Sequence, residues 1–107
     1  MNIEIAEVIK ITQKAGEEIL QIYNSENFNV EIKADNSPLT RADKASHQII
    51  EEGLKKIYPE IPILSEEGKE IEYKIRKNWK VFWLVDPLDG TKEFIKRNGE
   101  FTVNIAL

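Results

Sequence analysis

Two aspartates three residues apart follow an apolar stretch of the chain, in the segment Trp83-Leu84-Val85-Asp86-Pro87-Leu88-Asp89-Gly90-Thr91. Proline has the φ angle required at the second position of a type I turn, and such a turn brings the α-carbons of its first and fourth residues within about 7 Å. Two carboxylates about 5 Å apart repel by roughly 3 kcal/mol at an effective dielectric constant of about 20, and a divalent cation removes that cost. The spacing of Asp86 and Asp89 therefore predicts a cation site.

A third carboxylate is expected beside this pair. Glu66 follows another short apolar run, Ile61–Leu64, so acidic groups stand at the carboxyl ends of two predicted strands. Mg²⁺ takes oxygen ligands and is usually held by a few carboxylates together with substrate phosphate. The predicted turn also exposes a backbone carbonyl, that of Leu88. The predicted metal ligands are therefore Glu66, Asp86, Leu88 and Asp89.

Gly90 and Thr91 add features that suit a bound phosphate. Glycine permits close approach of the backbone to a ligand, and a helix that begins near Thr91 would offer free N–H groups to an anionic oxygen. A hydroxyl such as that of Thr91 can hold a water molecule and help to deprotonate it, beside cations that neutralise the phosphate. These residues predict a metal-dependent phosphatase.

A rival phosphatase mechanism is excluded at this segment. Enzymes of the haloacid dehalogenase type also follow an apolar strand with Asp-x-Asp-Gly-Thr, and they use the first aspartate as the nucleophile. In this chain that position is Pro87, which cannot be phosphorylated. Direct attack by an activated water molecule remains.

Three further polar residues have simpler interpretations. The pattern Thr40-Arg41-Ala42-Asp43 matches a helix-capping box, and Asp43 can serve either as this cap or as a functional group. His47 faces solvent by the helical count and is given no role. Lys33 is expected to be an ordinary exposed lysine.

The groups of the candidate site must be positioned by helices and strands that alternate along the chain. Apolar residues at steps of three and four predict amphipathic helices over Ile5–Tyr23 and from Thr40 to Ile57. The buried stripe of the second helix is predicted to contain Ala42, Ala45, Ile49, Gly53, Leu54 and Ile57.

Four strands are predicted, and together with the helices they indicate an α+β fold. They are Phe28–Ile32, Ile61–Leu64, Val81–Val85 and Phe101–Leu107. Because every residue of Val81–Val85 is apolar, this strand is expected to be covered on both faces. Turn residues follow the first strand at Asp35–Pro38, and the charged stretch Gly68–Asn78 is expected to be a surface loop or short helix.

Composition excludes several classes of protein. The 107 residues include 19 acidic and 15 basic side chains, for a net charge of −4, and no run of Lys or Arg exceeds two. Such a chain lacks the basic stripe that binds a polynucleotide. It has no cysteine and shows neither a signal peptide nor a transmembrane segment. We expect a cytoplasmic protein, and leave peripheral association with a membrane open.

The last predicted strand, Phe101–Leu107, is apolar, and an uncovered apolar edge strand invites aggregation. We therefore expect residues 1–107 to be the N-terminal portion of a single catalytic domain, with the C-terminal portion absent from this sequence.

Two motifs resemble those of a known family. Leu64-Ser65-Glu66-Glu67, followed by the segment from Trp83 to Phe94, is similar to the inositol monophosphatase superfamily of Mg²⁺-dependent, lithium-sensitive phosphatases. Within it, Gly90–Leu107 resembles the 3′(2′),5′-bisphosphate nucleotidases of the CysQ type. Inositol monophosphatases usually carry Thr-Asn-Phe after Gly-Thr, where this chain has Lys92-Glu93-Phe94. The resemblance also covers Lys33–Thr40.

The resemblance implies a layered α/β/α/β/α sandwich, of which this chain would supply the first helices and the start of a mainly antiparallel sheet. It also implies hydrolysis of the 3′-phosphate of adenosine 3′,5′-bisphosphate (PAP) or of its phosphosulfate (PAPS), giving AMP or APS and phosphate. The partner is thus a small phosphorylated nucleotide, and the cofactor is Mg²⁺, at two or more sites, with inhibition by lithium.

Residue roles carry over by position. Glu66, Asp86, the Leu88 carbonyl and Asp89 would ligate Mg²⁺, and Glu66 would also contact substrate. The stretch Leu88–Thr91, which comprises Leu88, Asp89, Gly90 and Thr91, would line the phosphate. Thr91, paired with Asp43, would position the attacking water.

Two alternatives remain open. The chain could belong to an inositol monophosphatase, or it could be a non-catalytic metal-binding or interaction module if it is a complete gene product. Because family members are roughly twice as long or longer, the 107-residue chain alone is expected to be inactive or nearly so. The sequence does not predict an oligomeric state.

Overall fold

The computed structural model describes residues 2–107 and contains helices and strands in alternation. Their order is α1 (Ile5–Tyr23), β1 (Glu31–Ile32), β2 (Pro38–Leu39), α2 (Arg41–Ile57), β3 (Ile63–Ser65), α3 (Tyr73–Arg76), β4 (Trp83–Asp89), α4 (Thr91–Ile95) and β5 (Thr102–Ala106). The predicted α+β class is confirmed. Among the described residues, no helix is both long enough and apolar enough to cross a membrane.

Helices α1 and α2 pack against each other and against the sheet. One core cluster joins Ile11 of α1 and Leu54 of α2 to Trp83 and Val85 of β4. A second cluster joins the C-terminal half of α1 to Leu88 and to Phe94 of α4. Burying large apolar side chains contributes about 1.5–3 kcal/mol each, so these two clusters hold the helices on the sheet.

The three-stranded sheet is mixed. Its strand order is β3-β4-β5, with β3 and β4 parallel and β4 and β5 antiparallel. In the parallel pair Ser65 lies opposite Val85, so Glu66 and Asp86 come next at the same edge of the sheet. A separate antiparallel hairpin is formed by β1 and β2.

The predicted strand Phe28–Ile32 is shorter in the structure. Only Glu31–Ile32 forms β1, because Asn29 has a φ of 49°, in the left-handed region, which interrupts an extended strand. Phe28 is nevertheless buried, and it packs against Phe94 with ring centroids 4.6 Å apart.

Helix α2 has the predicted bounds, and Ala42 and Leu54 of its predicted stripe are buried, but the buried face also includes residues that were not predicted. Ser46 and Ile50 are buried, whereas Ile57, which was predicted on the buried stripe, is 37% exposed. His47 was predicted to face solvent and is instead half-buried between α2 and β3. In the first two turns the buried residues beside Ala42 are the polar Asp43 and Ser46, which a count of apolar residues does not include.

Strand β4 was predicted to be covered on both faces, and the described residues cover only one. Trp83 and Val85 are buried, while Leu84 between them is 50% exposed. Alternate residues of a strand point to opposite faces of the sheet, and the helices pack on the Trp83 and Val85 face.

Candidate active site

The two aspartates lie in a β-bulge. The sequence predicted that the strand would end at Asp86 and that a type I turn would follow. That prediction is wrong, because β4 continues through Asp89. Asp86 lies opposite Asn104 and Asp89 opposite Thr102, so β4 has one more residue than β5 between these two pairs. A bulge of this kind redirects side chains, and Pro87, which has no N–H to donate, suits the interrupted ladder.

The predicted residues of the site meet in one cleft of about 350 Å³. Its walls include Glu66 from the turn after β3, four residues of the bulge and of the turn into α4, and Thr91 at the start of α4. The predicted site residues that line this cleft are Glu66, Asp86, Leu88, Asp89, Gly90 and Thr91. Asp43 lies behind Thr91, in the buried interior.

Asp43 and Thr91 form a hydrogen-bonded pair. The Thr91 hydroxyl donates to Oδ1 of Asp43 at 2.8 Å, while Oδ2 accepts from the backbone N–H of Thr40 at 2.9 Å and from its hydroxyl at 2.7 Å. The capping box is therefore confirmed. One carboxylate caps α2 and also contacts Thr91, so the two roles left open for Asp43 are compatible.

This pair fixes the direction of the Thr91 hydroxyl. Because its single hydrogen points at Asp43, its lone pairs are left to accept a hydrogen bond from a molecule in the cleft. The Thr91 hydroxyl oxygen also lies 3.4 Å from the carbonyl oxygen of Leu88, which places that carbonyl beside the same part of the cleft.

Gly90 is required by the backbone at the entry to α4. Its φ is 94°, and a Cβ at this position would lie 2.7 Å from the carbonyl oxygen of Glu100. Any other residue would be strained and would clash with backbone. The tight approach turns the chain sharply from Asp89 into α4, and it sets Thr91 beside the bulge.

The acidic side chains interact strongly. Burial, followed by the neighbouring carboxylates of Glu66 and Asp89, raises the pKa of Asp86 to about 6. The ionised form of Asp86 is therefore disfavoured, and a bound cation would relieve its repulsion from Glu66 and Asp89.

Lys33 is not an ordinary exposed lysine. It lines the cleft, and its ammonium group lies 3.0 Å from Oε1 of Glu67. Burial alone would lower the pKa of Lys33, but the ion pair with Glu67 and the neighbouring Asp35 and Glu66 outweigh it, and the pKa is raised. Lys33 therefore carries a positive charge at the rim of an acidic cleft.

The candidate metal ligands have the chemical type that Mg²⁺ prefers. Three carboxylates, of Glu66, Asp86 and Asp89, and the Leu88 carbonyl are all oxygen ligands of the type that Mg²⁺ prefers. Within residues 2–107, however, no three His, Cys, Asp or Glu side chains converge closely enough to hold a metal ion. These side chains share one cleft. To coordinate an ion together, they would have to move closer to one another, or the ion would need ligands from elsewhere.

Sequence reasoning missed three polar residues that contact this site. Ser46 donates to the carbonyl of Pro87 at 2.7 Å, and His47 lies 2.9 Å from the Ser65 hydroxyl. The side-chain amide of Asn104 lies 3.5 Å from Asp89. Ser46 and His47 stand three and four residues after Asp43, so helical spacing alone places them on its face.

A family model supports the chemistry of the cleft. The model of the inositol monophosphatase family matches residues 2–107. The chain belongs to the inositol monophosphatase family. Members of this family are metal-dependent phosphatases, as the acidic cleft suggests. The resemblance noted in the sequence is confirmed.

Relatives within the inositol monophosphatase family include nucleotidases. The chain is 54% identical over 102 residues to the 3′(2′),5′-bisphosphate nucleotidase CysQ of Shigella flexneri, covering 94% of this chain and 41% of that protein. The chain thus spans about two-fifths of the length of this curated relative.

Solved structures of the family share the fold. The crystal structure of CysQ from Bacteroides thetaiotaomicron is 53% identical, with a TM-score of 0.76 over 94% of this chain and 36% of that one. The extragenic suppressor protein SuhB from Bartonella henselae is 31% identical, with a TM-score of 0.83 over 95% of this chain and 39% of that one. Both similarities cover nearly the whole of the described structure.

Proposed function

We propose that the full-length protein is a cytoplasmic, Mg²⁺-dependent 3′(2′),5′-bisphosphate nucleotidase. It would remove the 3′-phosphate of PAP or PAPS and release AMP or APS and inorganic phosphate. The observation that carries the proposal is the cleft in which the Asp43–Thr91 pair stands beside three carboxylates from two segments of the chain. The substrate class is supported by the 54% identity to a CysQ nucleotidase.

Mg²⁺, held by Glu66, Asp86, Asp89 and the Leu88 carbonyl, would promote the ionisation of a water molecule and neutralise charge on the phosphate. The Thr91 hydroxyl oxygen would accept a hydrogen bond from that water, because its own hydrogen is donated to Asp43. The water oxygen would then bond to phosphorus as the bond to the ribose 3′-oxygen breaks, with the proton of the water passing to solvent and the leaving 3′-oxygen taking up a proton from solvent.

The backbone at the entry to α4 would orient the phosphate. The first N–H groups of a helix lack intrahelical acceptors, so those at the start of α4 could bind an anionic oxygen. Glu66, Leu88, Asp89, Gly90 and Thr91 would therefore contact the phosphorylated substrate. Lys33, which also lines the cleft, would add a positive charge that attracts an anionic nucleotide.

The test is phosphate release from PAP by the full-length gene product, with and without Mg²⁺. Asp89→Asn removes one proposed ligand charge with little change in shape, and it should lower the rate by at least about 100-fold. Glu70→Gln, in the exposed stretch before α3, is a matched charge change and should leave the rate unaltered. Unchanged turnover by Asp89→Asn would refute the site.

Substrate choice is tested by competition. The same protein should release phosphate from PAP much faster than from inositol 1-phosphate, and lithium should inhibit the reaction. Faster turnover of inositol 1-phosphate would replace the nucleotidase with an inositol monophosphatase. The 107-residue chain alone should show little or no activity with either compound.

A further inference from the structure

Helix α2 presents three polar side chains on one face of its first two turns, and each bonds to a different segment of the candidate site. Asp43 bonds to Thr91 at the start of α4. Ser46 bonds to the bulge of β4, and His47 bonds to the end of β3. Residues spaced by three and four positions lie together on a helix, so a single rigid element contacts all three segments.

His47 is the centre of an ordered chain of hydrogen bonds. Its Nε2 lies 3.2 Å from Oε2 of Glu51, and its Nδ1 lies 2.9 Å from the Ser65 hydroxyl. A carboxylate can only accept, so Nε2 carries a hydrogen and Nδ1 of the neutral ring accepts from Ser65. The Ser65 oxygen in turn accepts a long bond, 3.4 Å, from the backbone N–H of Glu67.

Ser65 opens the turn that carries Glu66. The N–H of Glu66 donates to the Val85 carbonyl at 3.1 Å, and Gly68 donates back to the Ser65 carbonyl at 3.1 Å. The next carboxylate, that of Glu67, is held by Lys33. With these groups fixed, Glu66 is left as the exposed side chain of the turn, next to Asp86.

The imidazole packs directly under this turn. A Cβ on Gly68 would lie 3.3 Å from Cε1 of His47, so glycine allows the turn to sit close on the ring. Loss of Nδ1 would remove the hydrogen bond to Ser65 from beneath this turn.

Ser46 performs the corresponding task for the bulge. Its side chain is fully buried, and its hydroxyl donates to the Pro87 carbonyl at 2.7 Å. The bulge shifts the ladder between Asp86 and Asp89, and the Ser46 hydroxyl supplies a partner to a carbonyl within the shifted stretch.

We infer that Ser46 and His47 are positioning residues, which set the distance between the Glu66 turn and the Asp86–Asp89 bulge so that their carboxylates can act on one ion. The inference rests on the proposed function, because it presumes that these carboxylates bind Mg²⁺. Neither residue need touch the metal or the substrate. Groups that orient metal ligands typically change metal affinity by about 10–100-fold when they are altered.

The test is binding of Mn²⁺, as a spectroscopic substitute for Mg²⁺, to variants of the full-length protein. His47→Gln places an amide near the Nε2 position and keeps the contact with Glu51, whereas His47→Asn places one near Nδ1 and keeps the contact with Ser65. We expect about ten-fold weaker Mn²⁺ binding for His47→Gln and Ser46→Ala, and near wild-type binding for His47→Asn. Gln48→Ala, on the exposed side of the same helix, is the control and should bind normally.

A kinetic measurement accompanies binding. The Mg²⁺ concentration for half-maximal phosphate release should rise about ten-fold in His47→Gln, and kcat at saturating Mg²⁺ should change much less. If His47 had a purely structural role, His47→Gln would lower the melting temperature but would change neither the Mn²⁺ affinity nor the Mg²⁺ concentration for half-maximal phosphate release.

Three results would overturn the inference. They are unchanged Mn²⁺ affinity in a folded His47→Gln or Ser46→Ala protein, an equal loss in His47→Asn and His47→Gln, and unchanged affinity in Ser65→Ala. The Ser65→Ala variant deletes the hydroxyl and leaves His47 intact, so it decides the question if the His47 variants do not fold. If the wild-type protein binds no Mn²⁺, the proposed function itself fails and the inference falls with it. If the wild-type protein binds Mn²⁺ and the variants bind it equally well, the inference is contradicted and the proposed function is not.

Discussion

Helices α1 and α2 have similar amphipathic patterns, but they bury different chemistry. The buried residues of α1 are all apolar: Ile11, Ala15, Ile19 and Ile22. Helix α2 buries Asp43 and Ser46 in its first two turns, and Ile50 and Leu54 only later. A buried polar group costs about 1–3 kcal/mol if it has no partner, so polar residues at helix–sheet contacts are retained only when they are bonded. The difference agrees with a scaffold role for α1 and with the proposed role of the first half of α2 in positioning the candidate site.

The largest effect is expected for Asp43→Ala. The substitution removes a buried carboxylate that accepts from Thr40 and Thr91, and it leaves their donors without a partner. We expect a loss of about 3 kcal/mol in the free energy of unfolding and a fall in turnover of at least about 100-fold. Chemical denaturation and phosphate release measure the two effects. Lys44→Ala, at the neighbouring exposed position, is the control and should alter neither stability nor turnover. Full activity of Asp43→Ala would show that Asp43 serves only as a helix cap.

Ile19→Ala tests the scaffold role of α1. This side chain is 1% exposed, and its truncation should cost about 3 kcal/mol of stability by leaving a cavity. Turnover per folded molecule should remain normal, because the residue packs in the apolar cluster and not at the cleft. Leu20→Ala, half exposed on the same helix, provides the control for truncation itself. A specific loss of kcat in Ile19→Ala would erase the contrast between the helices.

Thr91→Ala separates chemistry from stability at the partner of Asp43. The lost hydroxyl should cost about 1 kcal/mol in stability, since Asp43 keeps its bonds to Thr40. Turnover should fall about 100-fold, because the water would lose its acceptor. Thr91→Ser retains the hydroxyl and should recover most of the rate. Equal rates for the alanine and serine variants would rule out a role for this oxygen.

The smallest effect is expected for Asp86→Asn in metal-free protein. The folded-state pKa of Asp86 is raised from 3.8 to about 6. The protonated carboxyl group is therefore tolerated in the folded state below pH 3.8, and the free energy of unfolding falls as the group ionises while the pH rises through 6. The asparagine variant should match the wild type near pH 3.5 and be more stable above pH 6. Since the group is only half-buried, solvent screening should limit the gain to about 1 kcal/mol. Denaturation in the presence of a chelator at both pH values measures it, and a variant that is less stable at neutral pH would show that the carboxylates do not repel.

Much of the fold could be predicted from the sequence because local patterns control it. The helix bounds at Ile5–Tyr23 and Arg41–Ile57 agree with apolar periodicity and with the capping box. The bulge in β4 could not be predicted, since it depends on pairing with β5, some fifteen residues away. The burial of Ser46 and His47 could not be predicted for a related reason. A hydrophobic pattern treats polar residues as exposed, and only their distant hydrogen-bond partners make their burial favourable.

By itself, the sequence determined the types of group that the site contains: three carboxylates, a glycine turn and a threonine at the start of a helix. It also determined the family, because those motifs are local runs of residues. Only the tertiary structure decided that Glu66 lies beside Asp86, that Thr91 bonds to Asp43, and that side chains of α2 bond to all three segments of the candidate site. Hydrogen bonds between residues forty or more positions apart depend on how the helices and strands pack, and no local pattern specifies them.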